Sequence, residues 1–134
     1  MSRKFRPTMG NVIKYKTPRR CEIWLVIDRD EKHNGKESER TYENSIQGGT
    51  RTCIVVSNDT GNTHSPNVEV VYTTTKDKNN LPTHFMTNST PEPSTVLCEE
   101  IMTVPKTNLT KYYGTLTMKE KCMLDKCLKV SIGL

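Results

Sequence analysis

Short apolar runs separated by polar, turn-forming stretches dominate the chain from residue 21 onward. Most of these runs are rich in valine, isoleucine, threonine and aromatic residues, and several contain alternating positions, so they predict β-strands. The predicted strands are 21–28, 51–56, 68–75, 81–85 and 95–104, with 109–116 as a short segment leading out of the last one. The intervening residues 29–46 and 57–66 are almost wholly polar, which predicts loops.

The last 18 residues follow a different pattern. Thr117-Met118-Lys119-Glu120 is a capping box, in which the threonine and the glutamate close the first turn of a helix. Apolar residues then recur at helical spacing, which predicts one amphipathic helix over 117–134. The stripe consists of Leu124, Cys127, Leu128 and Ile132. The whole pattern predicts a mainly β (α+β) protein: a small barrel or sandwich with a C-terminal helix.

Charge divides the chain into two parts. With 134 residues the protein is expected to form one domain, and its formal net charge of +5 favours a polyanionic partner. Residues 1–20 carry seven Lys or Arg and no acid, so the remaining residues are slightly acidic in sum. We therefore interpret 1–18 as a basic N-terminal extension, either a solvated tail or an arm that attracts nucleic acid, and 19–134 as the folded domain.

The five cysteines are an odd number, and most of them stand inside apolar runs. This usage is typical of reduced cysteines that pack as small hydrophobic side chains. Their spacing, and that of the three histidines, does not match a metal site, so neither a metal nor a cofactor is expected. No signal peptide or membrane-spanning run is visible, so we expect a soluble, cytoplasmic protein without a membrane partner.

Several blocks of sequence, taken in order, resemble one family. The upstream block is CEIWLVID, and the central blocks are GGTRTCIVVSNDTGN, HSPNVEVVYTTT, LPTHF and VLCEEIMTV, followed by a helix that ends in SIGL. Their order and spacing resemble the MazF/PemK family of toxin endoribonucleases over roughly residues 19–134. No single block is specific, but the series in order is a strong signal.

The resemblance implies a fold, an activity and partners. The implied fold is the SH3-like barrel shared by MazF, PemK and the gyrase poison CcdB, assembled as a homodimer with RNA in a groove across both subunits. The implied function is that of a toxin of a type II toxin–antitoxin system, acting as a metal-independent, sequence-selective endoribonuclease on single-stranded RNA. Cleavage would use the adjacent 2′-hydroxyl as the nucleophile, and a cognate antitoxin would block the groove.

Two residues fall on the catalytic positions of the family, Arg51 and Thr74. A fixed guanidinium offers forked donors to the phosphorane oxygens, on which negative charge develops during cleavage. A threonine hydroxyl is too weak a base to take the ribose proton unaided, so we expect Thr74 to orient the scissile phosphate. Without the resemblance, Arg51 would read as an exposed arginine or one paired with an acid such as Asp59, and Thr74 as an ordinary strand residue.

A second set of polar residues is predicted to contact RNA. Its members are Ser45, Gln47, Asn58, Asn62, His84 and Glu100. For the two loop asparagines, turn formation is the alternative role. His84 and His64 are also candidates for proton transfer, although a lone histidine is more often structural.

Three positions depart from the family pattern, and they bear on base preference more than on activity. Glu100 stands where relatives commonly carry glutamine, Met102 where a basic residue is common, and Thr52 where proline is usual. Two alternative functions therefore stay open: a non-catalytic nucleic-acid-binding protein and a CcdB-like gyrase inhibitor on the same fold.

Overall fold

Six antiparallel strands form one curled sheet, backed by a C-terminal helix. The computed structural model describes residues 16–27, 49–76 and 79–134. The strands are β1 (Glu22–Ile27), β2 (Thr50–Val55), β3 (Asn67–Thr74), β4 (His84–Thr87), β5 (Ser94–Pro105) and β6 (Leu109–Thr115), and their order in the sheet is β4-β5-β3-β2-β1-β6. A short helix α1 (Asp59–His64) lies between β2 and β3, a 3-10 helix (Lys106–Asn108) precedes β6, and helix α2 (Met118–Ile132) ends the chain. The predicted mainly β fold with a C-terminal helix is confirmed.

Both faces of the sheet bury apolar side chains, which explains why the central strands read as nearly continuous apolar runs. Neighbouring residues alternate between two core clusters. Ile54 and Val71 belong to the cluster that α2 covers, whereas Cys53 and Val70 belong to the cluster on the opposite face. We use the name open face for this opposite face, meaning that α2 does not cover it. Its buried cluster consists of Trp24, Val26, Cys53, Val55, Val68, Val70, Tyr72, Val104 and Leu109.

Helix α2 begins at the capping box that the sequence predicts, but it ends at Ile132 rather than at the predicted residue 134. Thr117 is the N-cap, its side chain accepts from the Glu120 backbone N–H, and the Glu120 side chain accepts from the Thr117 N–H. Gly133 ends the helix in the left-handed conformation, with φ of 78°. Leu124 and Cys127 are buried against the sheet, but Ile132 is exposed, so the predicted apolar stripe stops before the last turn.

Two sequence-based predictions of local structure were wrong. The polar stretch 57–66 contains α1 rather than only a loop, because Asn58 caps a helical turn by accepting from the Gly61 N–H at 2.8 Å. The strand predicted at 81–85 begins only at His84, since Pro82 and Thr83 form a turn and Leu81 is exposed. The segment 109–116, by contrast, contains a full strand, β6, paired with β1.

One irregularity in the sheet shapes the open face. Val71 pairs with Ile101, but the next residue, Tyr72, pairs with Leu97. The intervening residues Cys98, Glu99 and Glu100 therefore have no direct partner on β3 and form a bulge in β5. Bulges re-aim side chains, and this one separates the directions of two consecutive glutamates.

The polar loop predicted at 29–46 lies outside the described residues, as does all but the end of the basic extension. Lys16, at that end, pairs with the buried Glu22 at 3.2 Å and lies over the Tyr112 ring. In the described part of the chain, no helix is long and apolar enough to cross a membrane.

Candidate active site

The guanidinium of Arg51 lies on the open face, at the start of β2. Arg51 pairs with Val26 of β1 and stands two residues before the buried Cys53, so its side chain leaves the sheet on the same side as the open-face cluster. The guanidinium carbon lies 4.0 Å from the centroid of the Tyr72 ring. This cation–π contact fixes the plane of the guanidinium while 29% of the side chain stays exposed. The cation is thus held in place without losing access to an anionic ligand.

Thr74 ends β3 on the same face, two residues beyond Tyr72. Cys53 pairs with Tyr72, the last recorded pair between β2 and β3, and Arg51 and Thr74 each lie two residues beyond this pair on neighbouring strands. By strand alternation both side chains leave the sheet on the same face. The Thr74 hydroxyl oxygen accepts from the Lys76 N–H at 3.2 Å, and no described residue accepts its proton. This proton is therefore available to a ligand. Arg51 and Thr74 lie on the same face of the sheet, and their catalytic roles stay predictions.

Glu100 approaches the same guanidinium from the β5 bulge. Its Oε1 lies 3.8 Å from Nη2 of Arg51, and 43% of its side chain is exposed. At that distance the contact is an attraction between charges rather than a hydrogen bond. Arg51 therefore pairs with Glu100 and not with Asp59, whose carboxylate accepts from the Arg20 N–H at 2.7 Å.

His84 is held by two acceptors inside the protein. Only 5% of its side chain is exposed. Its Nδ1 donates to the Asn79 carbonyl oxygen, and its Nε2 contacts Oε2 of Glu99, both at 2.8 Å. Burial disfavours the charge of Glu99, but hydrogen bonds from His84 and Thr83 outweigh it, so the pKa of this carboxyl is lowered. Both ring nitrogens are engaged, so the placement suits a structural role better than proton transfer or RNA contact.

His64 lies at the other end of β3 from Thr74. It is the last residue of α1, is exposed, and is followed by the start of β3 at Asn67. An eight-residue strand separates its ends by roughly 23 Å. His64 therefore does not share a site with Arg51 in this chain.

The two loop asparagines have different environments. Asn58 is exposed and caps α1, so part of its side chain is already used. Asn62 is fully buried: its amide nitrogen donates to the Ser57 carbonyl and to Asp59, and its amide oxygen accepts from the Ser57 hydroxyl. An RNA-contacting role does not fit Asn62, because no part of it reaches the surface. Ser45 and Gln47, the other predicted contacts, lie outside the described residues.

Tyr72 is the residue of the site that sequence reasoning missed. It was assigned to an apolar strand without a function, and yet its ring carries the Arg51 guanidinium. Strand alternation offered a signal, because residues 72 and 74 share a face. The pairing of β2 with β3, which was not predicted, brings the aromatic ring to the arginine.

The cysteines take no part in this site. All five are free thiols, and only Cys122 is exposed. Burial raises the pKa of both the Cys53 and the Cys98 thiol to about 12, which leaves them protonated and unreactive at neutral pH. They pack as small apolar side chains, as the sequence predicted.

The fold is a mainly β curled sheet, and one of its faces carries a partly exposed arginine on a tyrosine ring. A family model for the PemK-like, MazF-like toxin of type II toxin–antitoxin systems matches residues 19–132. The Endoribonuclease MazF of Staphylococcus saprophyticus is 32% identical over 97 residues, covering 69% of this chain and 81% of that protein. The chain therefore belongs to the PemK/MazF family of toxins.

Solved structures agree on the fold. An endoribonuclease from a Mycobacterial species superimposes with a TM-score of 0.67 at 23% identity, covering 89% of this chain and 94% of that one. A second, described as an endoribonuclease in complex with its cognate antitoxin from Mycobacterial species, has a TM-score of 0.66 at 24% identity and covers 87% and 96%.

Proposed function

We propose that this toxin is an endoribonuclease that cleaves single-stranded RNA at the corner formed by Arg51, Tyr72 and Thr74. The observation that carries the proposal is the Arg51 guanidinium, which lies over the Tyr72 ring on the sheet face that Thr74 shares. The endoribonuclease names of the relatives support the activity. The net charge of +5 supports a polyanionic substrate.

The reaction is an internal transesterification. The ribose 2′-oxygen attacks the adjacent phosphorus, the bond from phosphorus to the 5′-oxygen breaks, and the products are a 2′,3′-cyclic phosphate and a 5′-hydroxyl. The 2′-hydroxyl proton passes to water, and the leaving 5′-oxygen takes a proton from water. Since the nucleophile belongs to the substrate, the step needs no metal-activated water, and we propose that cleavage is metal-independent.

Two side chains supply the catalysis. Arg51 donates to the non-bridging oxygens as they gain charge, and it stabilises the phosphorane more than the ground state. Thr74 donates its free hydroxyl proton to the same phosphate and orients it for in-line attack. Both roles use contacts that the folded protein already holds in place.

We also propose a cognate antitoxin and a homodimer, with RNA lying in a groove across the two subunits. A structural neighbour was solved with its cognate antitoxin, which supports the first. An acidic, disordered segment of the antitoxin would compete with RNA for the positively charged groove. Because the proposed substrate is cellular RNA, the proposed location is the cytoplasm.

The test is 5′-end mapping of cuts in a long, weakly structured RNA, in EDTA, with the unmodified protein, Arg51→Ala and Thr74→Val. Discrete cuts at a short recurring sequence, lost or strongly reduced in both variants, would support the proposal. RNA binding without any cutting by the unmodified protein would instead favour the non-catalytic binding protein. Neither binding nor cutting, combined with capture of gyrase, would favour the CcdB-like inhibitor.

A further inference from the structure

Two consecutive glutamates in the β5 bulge have opposite environments. Both carboxylate oxygens of Glu99 are hydrogen-bonded within the protein, Oε1 to the Thr83 hydroxyl and Oε2 to His84, each at 2.8 Å, although 40% of the side chain is exposed. Among the residues that the structure describes, none donates a hydrogen bond to Glu100. Glu100 has only its 3.8 Å charge contact with Arg51, at the site where the RNA phosphate would bind.

A lone carboxylate at this place has a consequence for RNA binding. Once a phosphate binds to Arg51, the Glu100 carboxylate lies close to a second negative charge, and the two repel each other. An ionised carboxylate only accepts hydrogen bonds, so it cannot bond to the phosphate oxygens. A substrate that brings N–H donors to Glu100 would offset this repulsion, and one without them would not.

The nucleobases next to the scissile phosphate are the groups within reach of such a carboxylate. Single-stranded RNA is recognised through hydrogen bonds to exposed base edges. On its Watson–Crick edge guanine presents two adjacent donors, the N1–H and the N2 amino group, which match the two oxygens of one carboxylate. Adenine and cytosine present an amino donor beside an acceptor, and uracil presents one N–H between two acceptors.

We propose that Glu100 selects guanine at one of the two nucleotides joined by the scissile phosphate. The inference rests on the proposed ribonuclease function and adds the base that the site recognises. Glu100 accepts from N1–H and N2–H of that guanine, while Arg51 and Thr74 hold the phosphate beside it. The bulge permits this role, because Glu100 is free of strand pairing with β3 and its side chain is free to turn towards the base.

The test compares bases at the mapped site. RNA oligonucleotides are made with guanine, inosine or 7-deazaguanine at each nucleotide flanking the cut. Inosine lacks the N2 amino group, and we expect it to lower kcat/KM by about tenfold or more at one of the two positions. 7-Deazaguanine keeps both donors, so it is expected to be cleaved like guanine.

Glu100→Gln links the preference to the residue. Glutamine presents one acceptor and one donor, so the difference between guanine and inosine is expected to fall to about threefold or less. Glu99→Gln is the matched control: it changes the neighbouring glutamate by the same atoms and is expected to keep the full preference. Thermal melts of both variants establish that each is folded at the assay temperature.

The failures of the two proposals are distinguishable. If the unmodified protein cuts no RNA, the ribonuclease function itself fails. If it cuts RNA at sites with no flanking guanine, or if Glu100→Gln keeps the preference for guanine over inosine, only the role of Glu100 is overturned. A uniform rise in cleavage of all substrates by Glu100→Gln would also overturn it, because the carboxylate would then act only by repelling phosphate.

Discussion

The two ends of β3 are both rich in polar residues, but their polar groups are used differently. At the Asn67 end, the side chains around α1 bond to one another, and Asn62 is buried among its partners Ser57 and Asp59. At the Thr74 end, Arg51 lies over an aromatic ring, and the one described carboxylate near it is Glu100, at 3.8 Å. Polar groups that satisfy one another stabilise the fold, whereas those left without partners are available to a ligand.

The largest effect is expected from Arg51→Ala, at the Thr74 end of β3. Removing a preorganised donor to a developing oxyanion typically costs about 10²- to 10³-fold in rate, or roughly 3–4 kcal/mol. The site-specific cleavage rate should therefore fall by that factor, while the melting temperature changes little because the side chain is partly exposed. Arg51→Lys is the matched variant and should restore only a part of the rate, since a lysine lacks the forked donors. A normal rate in Arg51→Ala would remove this residue from the reaction.

Asn62→Ala should produce the next largest effect, on folding rather than on chemistry. It removes the donor to the Ser57 carbonyl, the acceptor of the Ser57 hydroxyl proton and one donor to Asp59. We expect a loss of about 2–3 kcal/mol in the free energy of unfolding. Asn58→Ala, in the exposed cap of the same helix, should cost only about 1 kcal/mol. Urea denaturation measures both. Folded Asn62→Ala is expected to cleave RNA at an unchanged rate. A loss of cleavage in the folded variant would contradict the view that the polar groups at the Asn67 end of β3 serve only stability.

Thr74→Val removes the hydroxyl of residue 74 while keeping the shape of the side chain. We expect cleavage to fall by about 10- to 100-fold, which corresponds to roughly 1.4–2.7 kcal/mol. Thr74→Ser keeps the hydroxyl and should retain most of the rate. Binding of an RNA with a 2′-deoxynucleotide at the cut, which cannot react, should change little in either variant. If serine and valine reduced cleavage equally, the methyl group rather than the hydroxyl would be the feature that matters.

The smallest effect is expected from Glu120→Gln, in a second group of mutually bonded side chains. Glu120 accepts from the Thr87 and Ser89 hydroxyls at 2.7 Å and so joins α2 to the turn after β4. Burial alone would raise the pKa of Glu120, but these hydrogen bonds and those of the capping box lower it in the folded state. We expect a loss of about 1–2 kcal/mol at pH 7.

The pH dependence of this effect has a defined sign. A carboxyl whose pKa is lower in the folded state stabilises the protein above its unfolded pKa, near 4.3, and loses that contribution as the pH falls through the folded value. The difference in unfolding free energy between the unmodified protein and Glu120→Gln should therefore be constant from pH 7 to about pH 5.5 and shrink below about pH 4. A difference that grew on acidification would contradict the assignment.

Most strands and the C-terminal helix were predictable from local sequence patterns. Apolar runs located five strands, and the Thr117–Glu120 capping box located α2, because these features depend on neighbouring residues alone. Helix α1 was missed since six residues are too few for helical periodicity to appear, and its asparagines and glycine equally favour turns. The start of β4 was misplaced by three residues, because Leu81 looks like a strand residue but lies exposed before the turn at Pro82.

The candidate site was only partly readable from the sequence. Arg51 and Thr74 followed from the resemblance. Their common face follows from strand alternation only once the pairing of Cys53 with Tyr72 is known. The burial of Asn62 was not predictable without α1. The contact of Glu100 with Arg51 depends on the β5 bulge, and no local sequence pattern predicts that bulge. Both features, the burial of Asn62 and the contact of Glu100 with Arg51, depend on contacts between segments that are distant in the sequence. Strand register determines which of these side chains meet.

The β5 bulge also bears on how such a protein diversifies. Glu100 takes no part in either core cluster and is not paired with β3, so exchanging it disturbs neither packing nor strand register. Arg51 and Thr74, by contrast, stand where β2 and β3 run side by side. Exchanging residue 100 is therefore expected to cost little in folding, so the proposed base preference can change while the residues proposed to carry the reaction stay the same.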